Sequence, residues 1–173
     1  MKQFLKNTIK KIIQKLTTLL SSTKVGRLVN EVIVNDVMNR VQEMEHNGLR
    51  MKFTVPNSLN RFRVESFSTK EPETLEWIDR FPDDAVLWDI GANVGLYTIY
   101  AAKKGLRVYS FEPSVFNLEL LARNIFLNKV VDQVTIIPLP LSGQLVESSF
   151  KMTTTDWGGR CRPLRKVLDM MVK

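Results

Sequence analysis

Between Ala85 and Gly105 the chain runs through an unbroken apolar stretch, Ala85-Val86-Leu87-Trp88, that closes on an acid, Asp89-Ile90. Two glycines follow within five residues, Gly91 and Gly95, and then a helix-forming stretch from Val94 to Lys104 that Gly105 stops. That order reads as a buried strand, a tight loop and a helix. The pattern then repeats. Arg107 to Phe111 is a second strand. Ser114 caps a helix running to about Asn128, with Leu118, Leu121 and Ile125 on its core face, and Val134 to Leu139 is a third strand. Strands that alternate with helices through short links form a parallel sheet with right-handed crossovers, so the fold class is α/β. The strand Ala85 to Ile90 is apolar on both faces, which predicts cover on both sides and pairing at both edges.

Upstream the signals are helical. Phe4, Leu5, Ile9, Ile12, Ile13, Leu16, Leu19 and Leu20 recur at helical spacing over Gln3 to Leu20, with lysines on the other face. Two readings of this basic amphipathic helix compete: it lies on an anionic membrane surface, or it packs on the domain or a partner, which the general need of a surface helix for a polar face favours. Ser21 to Thr23 break the chain. A second helix carries Val29, Val32, Ile33, Val37, Val41 and Met44, with His46 in its last turn and Asn47-Gly48 as its stop. Leu49 to Val55 and Arg61 to Phe67 read as two short strands of a β-hairpin around the turn Pro56-Asn57-Ser58. A short helix starts near Pro72, with Leu75, Trp77, Ile78 and Phe81 as its apolar side. The organisation is therefore residues 1–48 as two helices, 49–84 as a lead-in, 85–150 as a ligand-binding α/β part and 151–173 as a divergent tail.

The loop Asp89-Ile90-Gly91-Ala92-Asn93-Val94-Gly95 stands where doubly wound sheets bind ligands, at the carboxyl end of the first strand. Gly91 lets a ligand approach the backbone, Gly95 lets the helix sit close to the strand, and the loop's N–H groups are expected to face an acceptor. A dinucleotide fingerprint needs a third and a further glycine where this chain has Asn93 and Leu96, so that reading fails at two of its three positions. A methyltransferase loop wants an acid two residues before the first glycine and then G-x-[GN]-x-G, which Asp89, Gly91, Asn93 and Gly95 satisfy. S-adenosylmethionine carries an ammonium and a sulfonium, which an acidic strand end suits; a pyrophosphate would be repelled by Asp89. Glu112 ends the second strand at the spacing from Gly91 where a carboxylate meets ribose hydroxyls.

Asp89–Gly95 followed by Leu96-Tyr97-Thr98, the turn Phe111-Glu112-Pro113-Ser114, Asn117, Arg123-Asn124 and Asn128 together resemble FkbM-type methyltransferases. So do Val55-Pro56-Asn57, the run Thr69 to Ile78, and Ile136-Ile137-Pro138-Leu139 leading to Leu141-Ser142. The resemblance covers about residues 50–150. It implies a Rossmann-like class I methyltransferase fold, of which the first three strands are present, and S-adenosylmethionine as cofactor. Asp89, Gly91, Ala92, Asn93 and Gly95 would line the methionine end, with Glu112 on the ribose, Ser142 near the adenine and Glu71 closing over the methionine moiety. It also implies O-methylation of a sugar or similar small hydroxyl compound. No residue is assigned as base, and none as metal ligand. The family continues with a fourth strand bearing an acidic segment that is not found here. Thr155 to Gly159 faintly resemble its next loop and Arg160 to Lys173 match nothing, so the expectation is a shortened enzyme, weakly active or inactive, with an open sheet edge prone to self-association.

The net charge of +7 raises the question of nucleic acid. Lys2, Lys6, Lys10, Lys11, Lys15, Lys24 and Arg27 account for all of it, and no acid precedes Glu31. The tail from Trp157 is basic, which leaves residues 31–156 net negative. A stretch of that sign is not a phosphate-tracking surface and predicts no nucleic-acid partner, while the small-molecule acceptor is what the resemblance implies. No apolar run has bilayer length, and Cys161 as the single cysteine suits a reducing compartment. These features predict a cytoplasmic protein, peripheral to a membrane if residues 3–20 bind one.

Overall fold

A computed structural model describes residues 2–141 and 154–159. The chain divides into two units, residues 1–40 and 41–173.

The first unit is a pair of helices, α1 (Lys2–Ser21) and α2 (Lys24–Met38). Thr23 caps α2, its hydroxyl accepting from Gly26 N at 2.9 Å. Gly26 is the close-approach point. A Cβ there would stand 1.8 Å from the Leu20 carbonyl oxygen. Asn30 Nδ2 donates to Ser21 Oγ at 2.6 Å and Arg27 to the carbonyls of Ser21 and Ser22, which ties the turn to both helices.

The second unit opens with an antiparallel hairpin, β1 (Val41–His46) and β2 (Leu49–Thr54). This corrects the sequence reading of the region. Asn47 and Gly48 take φ of 47° and 78°, the left-handed pair that a two-residue hairpin turn demands, so they join strands and do not end a helix. His46 sits on β1, edge-on to Phe67 and Tyr100. The boundary expected near residue 48 falls inside this turn. Arg61 to Phe67, expected as a strand, lies mostly in α3 (Ser58–Glu65), which Asn57 caps by accepting from Asn60 N at 2.9 Å. The expected hairpin around Pro56-Asn57-Ser58 is replaced by a strand-to-helix turn. Two short helices follow, α4 (Phe67–Lys70) and α5 (Pro72–Asp79).

From here the expected alternation holds: β3 (Val86–Ile90), α6 (Leu96–Lys103), β4 (Arg107–Phe111), α7 (Val115–Asn128) and β5 (Val134–Ile137). The strands are parallel in the order β3-β4-β5, with Asp89 beside Ser110 and Ile90 beside Phe111. This is one half of a Rossmann-like α/β fold.

The core lies between the sheet and the hairpin. β2 alternates, sending Met51 and Phe53 inward to full burial, and α6 is wedged there with Ile99, Tyr100 and Ala101 fully buried. The buried stripe of α7 joins Leu120, Leu121 and Ile125 to three asparagines, Asn117, Asn124 and Asn128. Two of these serve as a partner for β2. Asn124 Oδ1 accepts from Thr54 N at 2.8 Å, while its Nδ2 donates to Val94 O at 2.8 Å. Asn128 brackets Lys52, accepting from its N at 2.9 Å and donating to its O at 2.7 Å. The opposite face of β3 is uncovered among the described residues. Val86, Trp88 and Ile90 are exposed, contrary to the expectation of cover on both faces.

Candidate functional site

At the carboxyl ends of β3 and β4 a cavity of about 460 Å³ opens, a size suited to a small ligand. Its floor is the loop that turns from β3 into α6. Gly91 (φ 81°), Asn93 (φ 52°) and Gly95 (φ 86°) are all left-handed. The two glycines serve different ends. A Cβ on Gly95 would meet Leu121 Cδ1 at 2.4 Å, so this glycine lets α6 and α7 close up. Around a Cβ on Gly91 there is nothing within 4 Å, and the open space is the cavity that Gly91 lines.

The loop's N–H groups are spoken for. Gly91 N and Ala92 N donate to Phe111 O at 2.8 and 3.0 Å, and Asn93 N donates to Glu112 Oε2 at 2.8 Å. Val94 N donates to Asn93 Oδ1 and Gly95 N to Ala92 O. The expectation that these groups face a ligand is therefore corrected. The end of β4 takes three of them, because a parallel neighbour presents its last carbonyl and the acid after it at that spot, and the loop itself takes the other two. What remains for a ligand is acceptor capacity. Glu112 is buried, and its other oxygen accepts from Ser114 N at 2.8 Å. Each of its oxygens thus holds one N–H and keeps a second acceptor site.

Asp89 ends the neighbouring strand. Its Oδ2 accepts from Thr98 Oγ1 at 2.5 Å, and Thr98 also contacts Ser110 Oγ at 2.8 Å. Burial pushes the Asp89 carboxyl up, and the charge of Glu112 adds to this; the hydrogen bond from Thr98 opposes it. A cationic ligand would relieve both costs. Glu71 also lines the cavity, accepting from Tyr97 Oη at 3.0 Å and pairing with Lys70 at 3.0 Å. Burial first, and then Glu71, push the Tyr97 phenol upward, so it stays a donor.

Asp89, Gly91, Ala92, Asn93, Glu112 and Glu71 thus come together around one cavity. Gly95 stands behind its wall as a packing residue. Ser142 lies outside the described residues, as do Cys161 and the tail from Arg160. Sequence reasoning missed Arg63, Phe67, Lys70, Tyr97, Asn117 and Gly159, which also line the cavity. The signal for α3 was present in Asn57 as a helix cap. For Asn117 it was an amide on an otherwise apolar stripe.

Asn117 belongs to a clasp around the segment 154–159. Asn57 and Asn60 each donate to Trp157 O at 3.0 Å, and Arg63 to Gly158 O at 2.6 Å. Asn93 and Asn117 donate to Gly159 O at 3.2 and 3.1 Å, and Asn117 Oδ1 accepts from Gly158 N at 2.9 Å. Gly158 takes φ of 81° against Asn60. The clasp sets Gly159 beside the glycine loop as part of the cavity wall.

No family model matches this chain, and no curated protein does. Solved structures do. TYW2 of Pyrococcus horikoshii in complex with MeSAdo is 22% identical, covering 58% of this chain and 36% of that one, with a TM-score of 0.40. The tRNA m1G37 methyltransferase of Methanocaldococcus jannaschii is 22% identical over 64% of this chain and 33% of that one, TM-score 0.41. A complex of aTrm5 with tRNALeu matches at 22% identity over 57% and 28%, TM-score 0.40. The chain spans about a third of the length of these structures. They correct one expectation. Net charge over residues 31–156 excluded nucleic acid as a partner, yet proteins that resemble this chain include a tRNA methyltransferase and a tRNA complex, so the exclusion is withdrawn. A charge sum over a stretch does not report where local patches lie.

Proposed function

We propose that the cavity binds S-adenosylmethionine and that the chain is a methyltransferase, or part of one, of FkbM type, acting on a hydroxyl oxygen of a sugar or similar small compound. The observation that carries the reading is the pair of carboxylates, Asp89 and Glu112, on adjacent strand ends either side of the open Gly91. The donor set suits this cofactor. Glu112 keeps acceptor sites for a ribose diol, and Asp89 and Glu71 form an acidic wall for an ammonium and a sulfonium. Ile90, Leu139 and Leu141 give the apolar surface an adenine needs. When bound, the cofactor supplies an electrophilic methyl group for in-line displacement. The residues of this chain bind it, orient it and exclude water. The FkbM assignment and the hydroxyl acceptor rest on the motif resemblance.

Calorimetry with S-adenosylmethionine, S-adenosylhomocysteine and NAD tests the cofactor. Glu112→Ala is expected to weaken S-adenosylmethionine binding at least about tenfold, since a charged hydrogen-bond partner is worth roughly 1.5–3 kcal/mol. Unchanged affinity sinks the ribose assignment, and NAD binding of equal strength overturns the cofactor. Methyl transfer to a panel of sugars, small hydroxyl compounds and tRNA tests the acceptor.

A further inference from the structure

The first unit presents two apolar stripes to solvent. On α1, Leu5, Ile9, Ile12, Ile13, Leu16, Leu19 and Leu20 are 48–71% exposed. On α2, Val25, Leu28, Val29, Val32 and Ile33 are 42–72% exposed. At about 100° per residue these seven residues of α1 fill an arc of roughly 120°, and the exposed Phe4 falls beyond it, between Lys15 and Lys11. On the same wheel Lys6 and then Lys10 follow one margin of that arc, and Lys15 and then Lys11 follow the other. The helix is thus built as an apolar wedge bordered on both sides by cations. Its link to α2 is close, with Gly26 against Leu20 and Asn30 donating to Ser21.

We infer that this helical pair docks on an anionic lipid surface, with α1 in the plane of the interface. Its apolar arc enters the headgroup–acyl boundary and its marginal lysines reach the phosphates. Charge decides between this occupant and the others. A second copy seated stripe to stripe would bring together two sets of lysines, and no acid before Glu31 answers them. A nucleic acid would pair with the cations and leave the apolar arc in water. Spanning is excluded for the described helices, none of which is long and apolar enough to cross a membrane. An anionic bilayer satisfies stripe and cations together.

The test uses the full chain with phosphatidylcholine vesicles, with and without about a third of phosphatidylglycerol. Flotation at low salt should recover the protein with the anionic vesicles and little with the neutral ones. Lys6→Glu with Lys15→Glu should weaken binding by about 25-fold or more, each lysine near such a surface contributing roughly fivefold. Ile13→Asp should weaken it at least about tenfold even at low salt, because the arc no longer inserts. Circular dichroism and melting confirm that both variants keep the fold of the parent. Three results overturn the inference. One is no flotation at low salt. Another is an Ile13→Asp protein that floats like the parent. The last is a dimer in gel filtration, or a tRNA complex in a mobility-shift assay, that the same variants abolish while vesicles are ignored.

Discussion

Gly91 and Gly95 share a left-handed backbone and differ in what surrounds them, which makes them separable by experiment. A left-handed alanine costs about 1–2 kcal/mol at either site. At Gly95 the methyl also strikes Leu121, adding about 1–3 kcal/mol of overpacking. Gly95→Ala is therefore expected to lower the melting temperature more than Gly91→Ala. Gly91→Ala puts its methyl into the cavity and should cut S-adenosylmethionine affinity out of proportion to its stability loss. Equal melting temperatures, or a cofactor affinity insensitive to Gly91→Ala, would contradict these roles. Glu112 carries a similar double duty, holding Asn93 N and Ser114 N while facing the cavity. Motif spacing pointed to the acid; only the fold revealed that it also locks the loop.

Between elements, polar side chains set the joints. Asn124 is both the outer partner of Thr54 and a clip on Val94. Asn124→Ala orphans buried backbone groups on both sides, at about 1–3 kcal/mol for each unmet partner. Hydrogen exchange at Thr54 should accelerate with it, and unchanged protection there would show that β2 needs no partner on that edge. A second joint closes on Asp79 of α5, which receives Tyr100 Oη, Lys104 Nζ and Asn47 Nδ2. Burial pushes its carboxyl up, but the hydrogen bonds from Lys104, Tyr100 and Asn47 outweigh this and hold it below the usual range. A carboxylate so held stabilises the fold above its unfolded pKa and loses that contribution as pH falls through the lowered value. Stability is therefore expected to drop on acidification below about pH 4. Asp79→Asn should flatten that part of the profile in urea titrations, and an unaltered slope would remove Asp79 from the acid response.

At the scale of the whole molecule, the clasp draws Trp157–Gly159 back across the chain to α3, the glycine loop and α7. Asn117→Leu keeps the volume and removes both its bonds to this segment. Limited proteolysis within residues 154–159 should then quicken, and S-adenosylmethionine affinity should fall by up to about tenfold, since a neutral hydrogen bond is worth roughly 0.5–1.5 kcal/mol. In the parent protein the cofactor should slow the same cleavage. Cleavage indifferent to both variant and cofactor would mean that the segment is not a wall of the working site.

What the amino-acid order determined by itself is local. The run from Val86 to Ile137 announces its strands, helices and glycine loop because each element's period and caps lie within the element. The acids at both strand ends could be picked out by spacing alone. Tertiary structure decided the rest. Asn47-Gly48 can end a helix or turn a hairpin, and the pairing of Val41–His46 with Leu49–Thr54 chose the hairpin. Arg61 to Phe67 has enough alternation for a strand, yet the Asn57 cap and the burial of Val64 and Phe67 make it helical. The loop N–H groups carry no mark of who receives them until β4 lies alongside. The asparagines on the α7 stripe look misplaced until β2, the glycine loop and residues 157–159 arrive to bond them. For the loop N–H groups and the α7 asparagines, a buried polar group is settled by a partner distant in the chain, and that information is not contained in any local window.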